Sequence, residues 1–301
     1  TKSKSPLVSH GGGQSNAMLA LARVCHASST PFTYHTRPLP RWLRSKPIGN
    51  LAKALALGMC LVEHKTAVAY EAACADLRSQ PNFVPQGAAY PGAELGVAGL
   101  ATEIDDWWGA TRRRQGESLA VVVPAGTGTT ALYLARHLSA VPSVQVYAVP
   151  CVGGKSALLS QMNALDAASG GHAALPQVLS PPARLSVPFG APHASLLEEW
   201  RRAASEHGVL LDLLYGSIAF GTLADVGYAP PRGTLPRGSA GSASASTTSL
   251  YVNAGGHEGL GISLRRYARG GLLREGETAE SALAWALQAS GTLRLDDDPF
   301  A

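Results

Sequence analysis

The chain has 301 residues, of which 46% are hydrophobic and 15% are charged. This composition excludes a fully disordered chain, and the length predicts two domains or one large domain with an added lobe. Lys and Arg number 25 against 21 Asp and Glu, and the net charge of +4 is too small and too scattered for a dedicated nucleic-acid-binding protein. The longest apolar runs are shorter than the roughly 18 residues of a membrane-spanning helix, so we expect a soluble protein.

The cysteines Cys25, Cys60, Cys74 and Cys151 lie far apart and have no spacing typical of a zinc or redox site. We predict that all four are reduced thiols in the core. That use of cysteine favours a reducing intracellular compartment, either the cytoplasm or an organelle. The histidines show no metal-ligand spacing either, so we expect no catalytic metal.

The first elements alternate strands and helices. Segment 6–18 is typical of a short strand, a glycine turn and the start of a helix, with Ser15 or Asn16 as the N-cap. A second helix over 47–59 and a strand over 60–62 follow. This order is the pattern of βαβ units.

The rest of the chain continues the alternation. The valine-rich run 119–123 predicts a buried strand, and further elements are predicted as helices over 95–108, 131–138 and 196–207 and as strands over 144–149, 209–211 and 250–252. Parallel strands joined by crossover helices result. The stretch 229–248 is rich in Pro, Gly, Ser and Ala, which indicates a low-complexity insertion.

A glycine-threonine loop follows the predicted strand 119–123, and it consists of Gly126, Thr127, Gly128, Thr129 and Thr130. Converging backbone amides, hydroxyl donors and the positive end of the next helix predict a phosphate cradle. The alternative is an ordinary glycine-rich turn in which threonine caps the helix. No Lys-Ser or Lys-Thr pair follows, so the loop is not a Walker motif and a nucleotide hydrolase is disfavoured.

Two more polar turns follow strands, over 11–16 and 253–259. Three such turns at strand ends predict one ligand crevice, although a simple helix cap also explains the first. His10, His257 and Glu258 lie beside these turns and could act as acids or bases, but the residues assign them no role.

Six segments, in this order along nearly the whole chain, resemble the D-cysteine desulfhydrase and 1-aminocyclopropane-1-carboxylate (ACC) deaminase family of pyridoxal-phosphate (PLP) enzymes: 10–18, 37–40, 49–59, 125–130, 211–215 and 254–256. The resemblance implies the α/β, tryptophan synthase β-like fold called fold type II, whose two lobes have parallel sheets flanked by helices and hold the cofactor between them. We expect a small lobe over 1–83 and a large cofactor-binding lobe over 84–301.

The resemblance also assigns roles to residues. It places the cofactor phosphate on the glycine-threonine loop, 126–130, in agreement with the donors counted there. Asn16 would bind the phenolic oxygen of the cofactor, and Ser15 would hold the substrate carboxylate or assist proton transfer. Tyr215 would lie against the pyridine ring as a second catalytic residue, whereas its residue type alone indicates a half-buried aromatic at a strand end.

The sequence departs from the family at two places. Gly216 stands where the family often has Glu or Thr facing the pyridine nitrogen, and Ser217 could donate a neutral hydrogen bond instead. This argues against ACC ring opening. The family's Schiff-base lysine follows Gly-Asn about two dozen residues before the serine-asparagine turn, and neither Lys2 nor Lys4 has that context. We therefore expect the chain to be truncated at its N-terminus and inactive as it stands.

The function that the resemblance implies is PLP-dependent β-elimination or deamination of a small amino acid, first of all D-cysteine to pyruvate, ammonia and sulfide. One alternative is ACC deaminase-like activity. Another is a non-catalytic protein that binds PLP or an amino acid. The expected partner is the amino-acid substrate, with no nucleic acid and no membrane. A homodimer is left open.

Overall fold

The computed structural model describes residues 5–111, 117–172, 174–228 and 247–292. The chain divides into two compact units, one formed by Thr1–Ala89 with Gly256–Ala301 and the other by Tyr90–Gly255. The sequence analysis predicted a division at residue 83, with everything after it in the second lobe. The structure differs in placing the C-terminal segment with the first unit.

The first unit begins with four strands and four helices. The strands are β1 (Leu7–Gly11), β2 (Phe32–Thr36), β3 (Cys60–Glu63) and β4 (Phe83–Val84), and the helices are α1 (Asn16–Ala27), α2 (Arg41–Ser45), α3 (Gly49–Ala56) and α4 (Ala67–Leu77). All strand pairs are parallel, in the order β3-β2-β1-β4. Apolar side chains from α1, β2 and α3 form one core, in which Met18, Leu51 and Ala54 are completely buried.

The second unit has the central strand that the sequence predicted most clearly. Its strands are β5 (Ser118–Ala125), β6 (Val144–Pro150), β7 (Gln177–Val178) and β8 (Thr247–Tyr251), and its helices are α5 (Glu94–Thr111), α6 (Thr129–Leu138), α7 (Gly154–Ala168), α8 (Ala194–His207) and α9 (Gly216–Asp225). The strands are parallel, in the order β7-β6-β5-β8. Helices cover both faces of this sheet, which is why β5 is apolar without alternation: Val121 and Val123 face one core and Val122 the other.

Two C-terminal helices, α10 (Leu260–Arg269) and α11 (Ala279–Ala289), complete the first unit. Ile262 of α10 packs against the start of α3 so closely that a Cβ atom at Gly49 would lie 2.1 Å from its Cδ1. This packing is the physical reason for the difference from the predicted lobes. Two sheets of parallel strands flanked by helices confirm the predicted α/β class.

The predicted strand over 209–211 is wrong. Leu210 and Leu211 are buried, but their carbonyl groups accept hydrogen bonds from the side chains of Asn253 (3.1 Å) and Trp200 (2.9 Å). The backbone is therefore bonded to side chains and not to a neighbouring strand. Of the predicted insertion 229–248, residues 229–246 lie outside the described part of the chain, and the last two begin β8.

The four cysteines are free thiols, and Cys25, Cys74 and Cys151 are buried as predicted. Cys60 is exposed, so its assignment to the core was wrong. Within the described ranges, no helix is both long and apolar enough to cross a membrane.

Candidate functional site

The glycine-threonine loop connects the carboxyl end of β5 to the start of α6. Helix α6 begins at Thr129, with Gly128 as its N-cap. A glycine has no side chain to cap the helix, and the backbone amides at a helix N-terminus are groups that can bind an anion. The hydroxyl groups of Thr127 and Thr129 lie at the same place and hydrogen-bond each other at 2.8 Å, which uses one of their two protons. The loop thus has the geometry expected of a phosphate cradle.

Gly128 is held in this loop by its conformation and by its neighbours. Its φ angle is +81°, in the left-handed region that favours glycine. A Cβ atom here would lie 2.4 Å from Cγ of Met162 and 2.9 Å from Cδ1 of Leu158, both on α7. The loop backbone is therefore pressed onto α7, and its position is fixed before any ligand binds.

Tyr215 lies beside this loop. A Cβ atom at Gly126 would be 3.4 Å from both Cε1 and the hydroxyl oxygen of Tyr215, so the glycine lets the aromatic ring approach the backbone. Phe189 packs edge-on against the tyrosine, with ring centroids 5.1 Å apart. Burial raises the pKa of Tyr215 to about 12, so its hydroxyl keeps its proton at neutral pH. The structure thus brings together two parts of the predicted site.

Asp212 holds the turn that carries Tyr215, and sequence reasoning missed it. Its carboxylate is buried and accepts hydrogen bonds from the backbone amides of Leu214 (2.8 Å), Tyr215 (2.7 Å) and Gly216 (2.8 Å). These three bonds satisfy the amides that lead into α9. The signal in the sequence was an Asp four residues before a helix-starting glycine, which is a weak pattern by itself.

Ser217 lies where its predicted role is difficult to perform. The side chain is completely buried, and its hydroxyl donates to the carbonyl oxygen of Asp212 at 3.1 Å. That bond uses the only proton of the hydroxyl, so Ser217 in this arrangement has none to offer a ring nitrogen. A Cβ atom at Gly216 would lie 2.9 Å from Oδ2 of Asp212 and 3.0 Å from Cβ of Leu211. A glutamate at 216 would disturb the carboxylate that forms the turn.

Ser15 and Asn16 begin α1 in the first unit. Ser15 is the N-cap, as predicted, and its hydroxyl oxygen accepts from the amide of Met18 at 3.3 Å. Asn16 is exposed at the first helical position, and its Oδ1 accepts a 2.8 Å hydrogen bond from Nδ2 of Asn50. Asn50 was part of a segment quoted for the resemblance, but the sequence did not indicate this contact.

The three residues left without a role have different surroundings. His10 is part of a half-buried group: its Nδ1 lies 2.7 Å from the hydroxyl of Tyr70 and 3.3 Å from the thiol of Cys74. Burial, helped by the charge of Arg78, lowers the pKa of His10. Glu258 forms an ion pair with Arg23 at 3.0 Å, and His257 begins a short 3-10 turn.

Comparison with known proteins finds similarity in fold but not in sequence. The sequence matches no protein-family model and no curated protein. Among solved structures, an ACC deaminase homologue superposes with a TM-score of 0.64 at 18% identity, covering 90% of this chain and 79% of the other. The chain has the tryptophan synthase β-like fold. The predicted fold type II architecture is thereby confirmed.

Two further structures support the same fold. A threonine deaminase from T.th. has a TM-score of 0.55 at 14% identity, with 85% of this chain and 79% of that chain covered. A hydrogen sulfide-producing enzyme from Fusobacterium nucleatum has a TM-score of 0.52 at 12% identity, with 75% and 73% covered. At these low sequence identities, the structural similarity shows the tryptophan synthase β-like fold alone.

Proposed function

We propose that this protein is a PLP-dependent enzyme that carries out elimination or deamination on a small amino acid. The observation that carries the proposal is the glycine-threonine loop, whose glycines place bare backbone beside the ring of Tyr215 and at the start of α6. Similar folds in a deaminase homologue, a threonine deaminase and a sulfide-producing enzyme support the reaction class.

The residues of the loop fit the phosphate group of this cofactor. Backbone amides at the start of α6 and the hydroxyls of Thr127, Thr129 and Thr130 would bind its oxygens. Gly128 would permit the left-handed turn that leads into these amides. Tyr215, already fixed by Asp212 and Phe189, would lie against the ring. When bound, PLP supplies an electron sink for negative charge that develops at the substrate α-carbon.

Two residues at the N-terminus of α1, the N-cap Ser15 and Asn16, have proposed roles as well. The exposed amide of Asn16 would donate to the phenolic oxygen of the cofactor, and Ser15 would bind the substrate carboxylate through its hydroxyl. The Ser15 oxygen accepts from the amide of Met18, and the hydroxyl also hydrogen-bonds the side chain of Tyr34, so a substrate carboxylate would compete with the tyrosine oxygen for the serine proton. A carboxylate bound at a helix N-terminus is also stabilised by the helix dipole.

The substrate proposed first is D-cysteine, converted to pyruvate, ammonia and sulfide. Gly216 has no side chain for the ring nitrogen, and the Ser217 proton is bonded to Asp212, so the surroundings of that nitrogen do not favour its protonated form. Elimination of a good leaving group needs less electron withdrawal than opening of a cyclopropane ring does. Sulfide release is therefore favoured over ACC deamination.

Binding is tested first. Pyridoxine 5′-phosphate has no aldehyde and binds without covalent attachment, so its titration by tyrosine and tryptophan fluorescence measures the phosphate cradle directly. We expect inorganic phosphate to compete and Thr127→Val to weaken binding several-fold. Thr102→Val removes an exposed hydroxyl on α5 and is the control. Equal affinity for the parent and Thr127→Val, with no competition by phosphate, would refute the phosphate assignment.

Product analysis then distinguishes the substrates. An N-terminally extended form that carries a Gly-Asn-Lys segment is loaded with PLP and incubated with D-cysteine or ACC, and sulfide, pyruvate and 2-oxobutyrate are measured on one preparation. We expect sulfide and pyruvate at equal rates and little 2-oxobutyrate. Faster 2-oxobutyrate formation would reverse the order of substrates, and binding without turnover of either compound would support a non-catalytic binding protein.

A further inference from the structure

Asn50 is a completely buried polar residue at the start of α3, beside the start of α1. Its side-chain nitrogen donates two hydrogen bonds, to the carbonyl oxygen of Gln14 at 3.1 Å and to Oδ1 of Asn16 at 2.8 Å. Its own Oδ1 is buried and has no hydrogen-bond partner among the described residues. A buried oxygen without a hydrogen-bond partner destabilises the fold. The presence of an asparagine is therefore explained by the two hydrogen bonds that its nitrogen donates.

These contacts determine the orientation of two amides. The carbonyl of Gln14 can only accept, so the Asn50 atom that faces it must be nitrogen. The second proton of that nitrogen points to Asn16, so the Asn16 atom that faces it must be oxygen. The amide nitrogen of Asn16 is therefore on the other side of its side chain, and this side chain is exposed.

Asn50 is itself held by Gln14. The backbone amide of Asn50 donates to Oε1 of Gln14 at 3.0 Å, and Nε2 of Gln14 donates to the carbonyl of Ile48 at 2.9 Å. Gly49 has a φ of +60°, and a Cβ atom there would lie 2.9 Å from Oε1 of Gln14. Gly49 thus lets the side chain of Gln14 approach the backbone closely. These hydrogen bonds join the start of α3 to the turn before α1.

We infer that Asn50 is a positioning residue that fixes the side-chain amide of Asn16 with its nitrogen outward, as a hydrogen-bond donor for the phenolic oxygen of the cofactor. The inference rests on the proposed function, because that function gives Asn16 its ligand. Without Asn50, the amide of Asn16 can rotate and present its oxygen, which would repel a phenolate.

The test measures preference for the phenolic oxygen and not activity. Pyridoxine 5′-phosphate and its 3-deoxy analogue are titrated against the parent, Asn50→Leu, Asn16→Ala and the double variant. We expect the parent to prefer the first ligand by about tenfold, the usual value of one hydrogen bond to a charged oxygen. Asn50→Leu should lose most of this preference, and it should change nothing further in the Asn16→Ala background.

Leu51→Ala is the matched control, because Leu51 is on the same helix and equally buried but donates nothing to Asn16. It should lower stability and keep the tenfold preference. If Asn50→Leu does not fold, Asn50→Ser provides the same comparison with less change in apolar volume.

Each outcome of the ligand titrations leads to a different conclusion. Failure of the parent to bind either ligand refutes the proposed function. Equal binding of both ligands by the parent refutes the role of Asn16 and the inference with it, but leaves the phosphate cradle standing. A parent that prefers the phenolic oxygen, together with an Asn50→Leu variant that prefers it equally, overturns the inference alone.

Discussion

At the scale of single residues, Gly128 combines two constraints, of which Gly154 has only one. Its backbone is left-handed, and its neighbours on α7 leave no space for a methyl group. Gly154 has a similar φ of +76°, but nothing lies within 4 Å of the position of its Cβ atom. A comparison of Gly128 with Gly154 therefore separates the conformational cost of adding a side chain from the steric cost.

Gly128→Ala should lower the free energy of unfolding by about 2–5 kcal/mol, since a left-handed alanine costs about 1–2 kcal/mol and overpacking adds about 1–3 kcal/mol. Gly154→Ala should cost only the conformational part, about 1–2 kcal/mol. Urea denaturation of both variants without ligand measures the difference. Equal losses in the two variants would show that Met162 and Leu158 can move aside.

The histidines of the first unit should make stability depend on pH. Burial lowers the pKa of His35, helped by the charges of His64 and His10, and burial also lowers that of His10, with Arg78 acting in the same direction and Glu71 against it. A lowered pKa means that the unfolded chain binds more protons as the pH falls below the usual value of 6.5. The stability that the two neutral histidines contribute is thus present above pH 6.5, and it is lost as the pH falls through the pKa values of His10 and His35 in the folded protein.

We therefore expect the free energy of unfolding to decrease from pH 7.5 to pH 5, measured by urea denaturation at fixed ionic strength. Replacing both residues (His10→Gln with His35→Gln) should flatten this dependence, although it removes the 3.0 Å contact of His35 with His64 and lowers stability at every pH. A variant with the same slope as the parent would assign the effect to other groups.

At the scale of elements, two apolar runs show what sequence can and cannot predict. Run 119–123 is long, rich in valine and followed by glycines, and it is the buried strand β5. Run 209–211 has similar composition, but Trp200 and Asn253 bond its carbonyls and Asp212 begins a turn directly after it. Hydrophobicity predicted the burial of both runs, whereas distant side chains decided which one is a strand.

Asp212→Asn should weaken the start of α9. The amide that replaces one carboxylate oxygen cannot accept from all three backbone amides, and buried amides that lose their partner cost about 1–3 kcal/mol. Asp225→Asn, at the other end of α9, is the control, because its 3.3 Å contact with Arg184 is exposed and worth less than about 1 kcal/mol. Thermal unfolding of both variants gives the comparison. A smaller loss for Asp212→Asn than for Asp225→Asn would contradict this account of the turn.

At the scale of the whole molecule, the fold class and the glycine-threonine loop were predictable because they depend on local patterns. Donor-rich glycine turns after apolar strands are visible in a single sequence. The contact between Asn50 and Asn16 was not, since it joins residues on different helices. The extent of the first unit was not predictable either, because it depends on the packing of Ile262 against Gly49.

Ending the chain after Gly255 should affect the two units unequally. The first unit loses α10 and α11, and with them the packing of Ile262 on α3, whereas the second unit keeps all its described elements. Hydrogen exchange followed by mass spectrometry should show loss of protection in β1 and α1 with protection retained in β5 and β6. Protection retained in all four elements would show that the C-terminal helices are dispensable.

The first unit is built from two segments with the whole second unit inserted between them. During translation, α1 and α3 leave the ribosome early, but the helix that packs on Gly49 is synthesised only after the other unit is complete. The second unit consists of consecutive residues and can fold as it emerges. The segment made before the second unit is therefore completed only after it, and in the meantime its apolar surface is a natural substrate for chaperones.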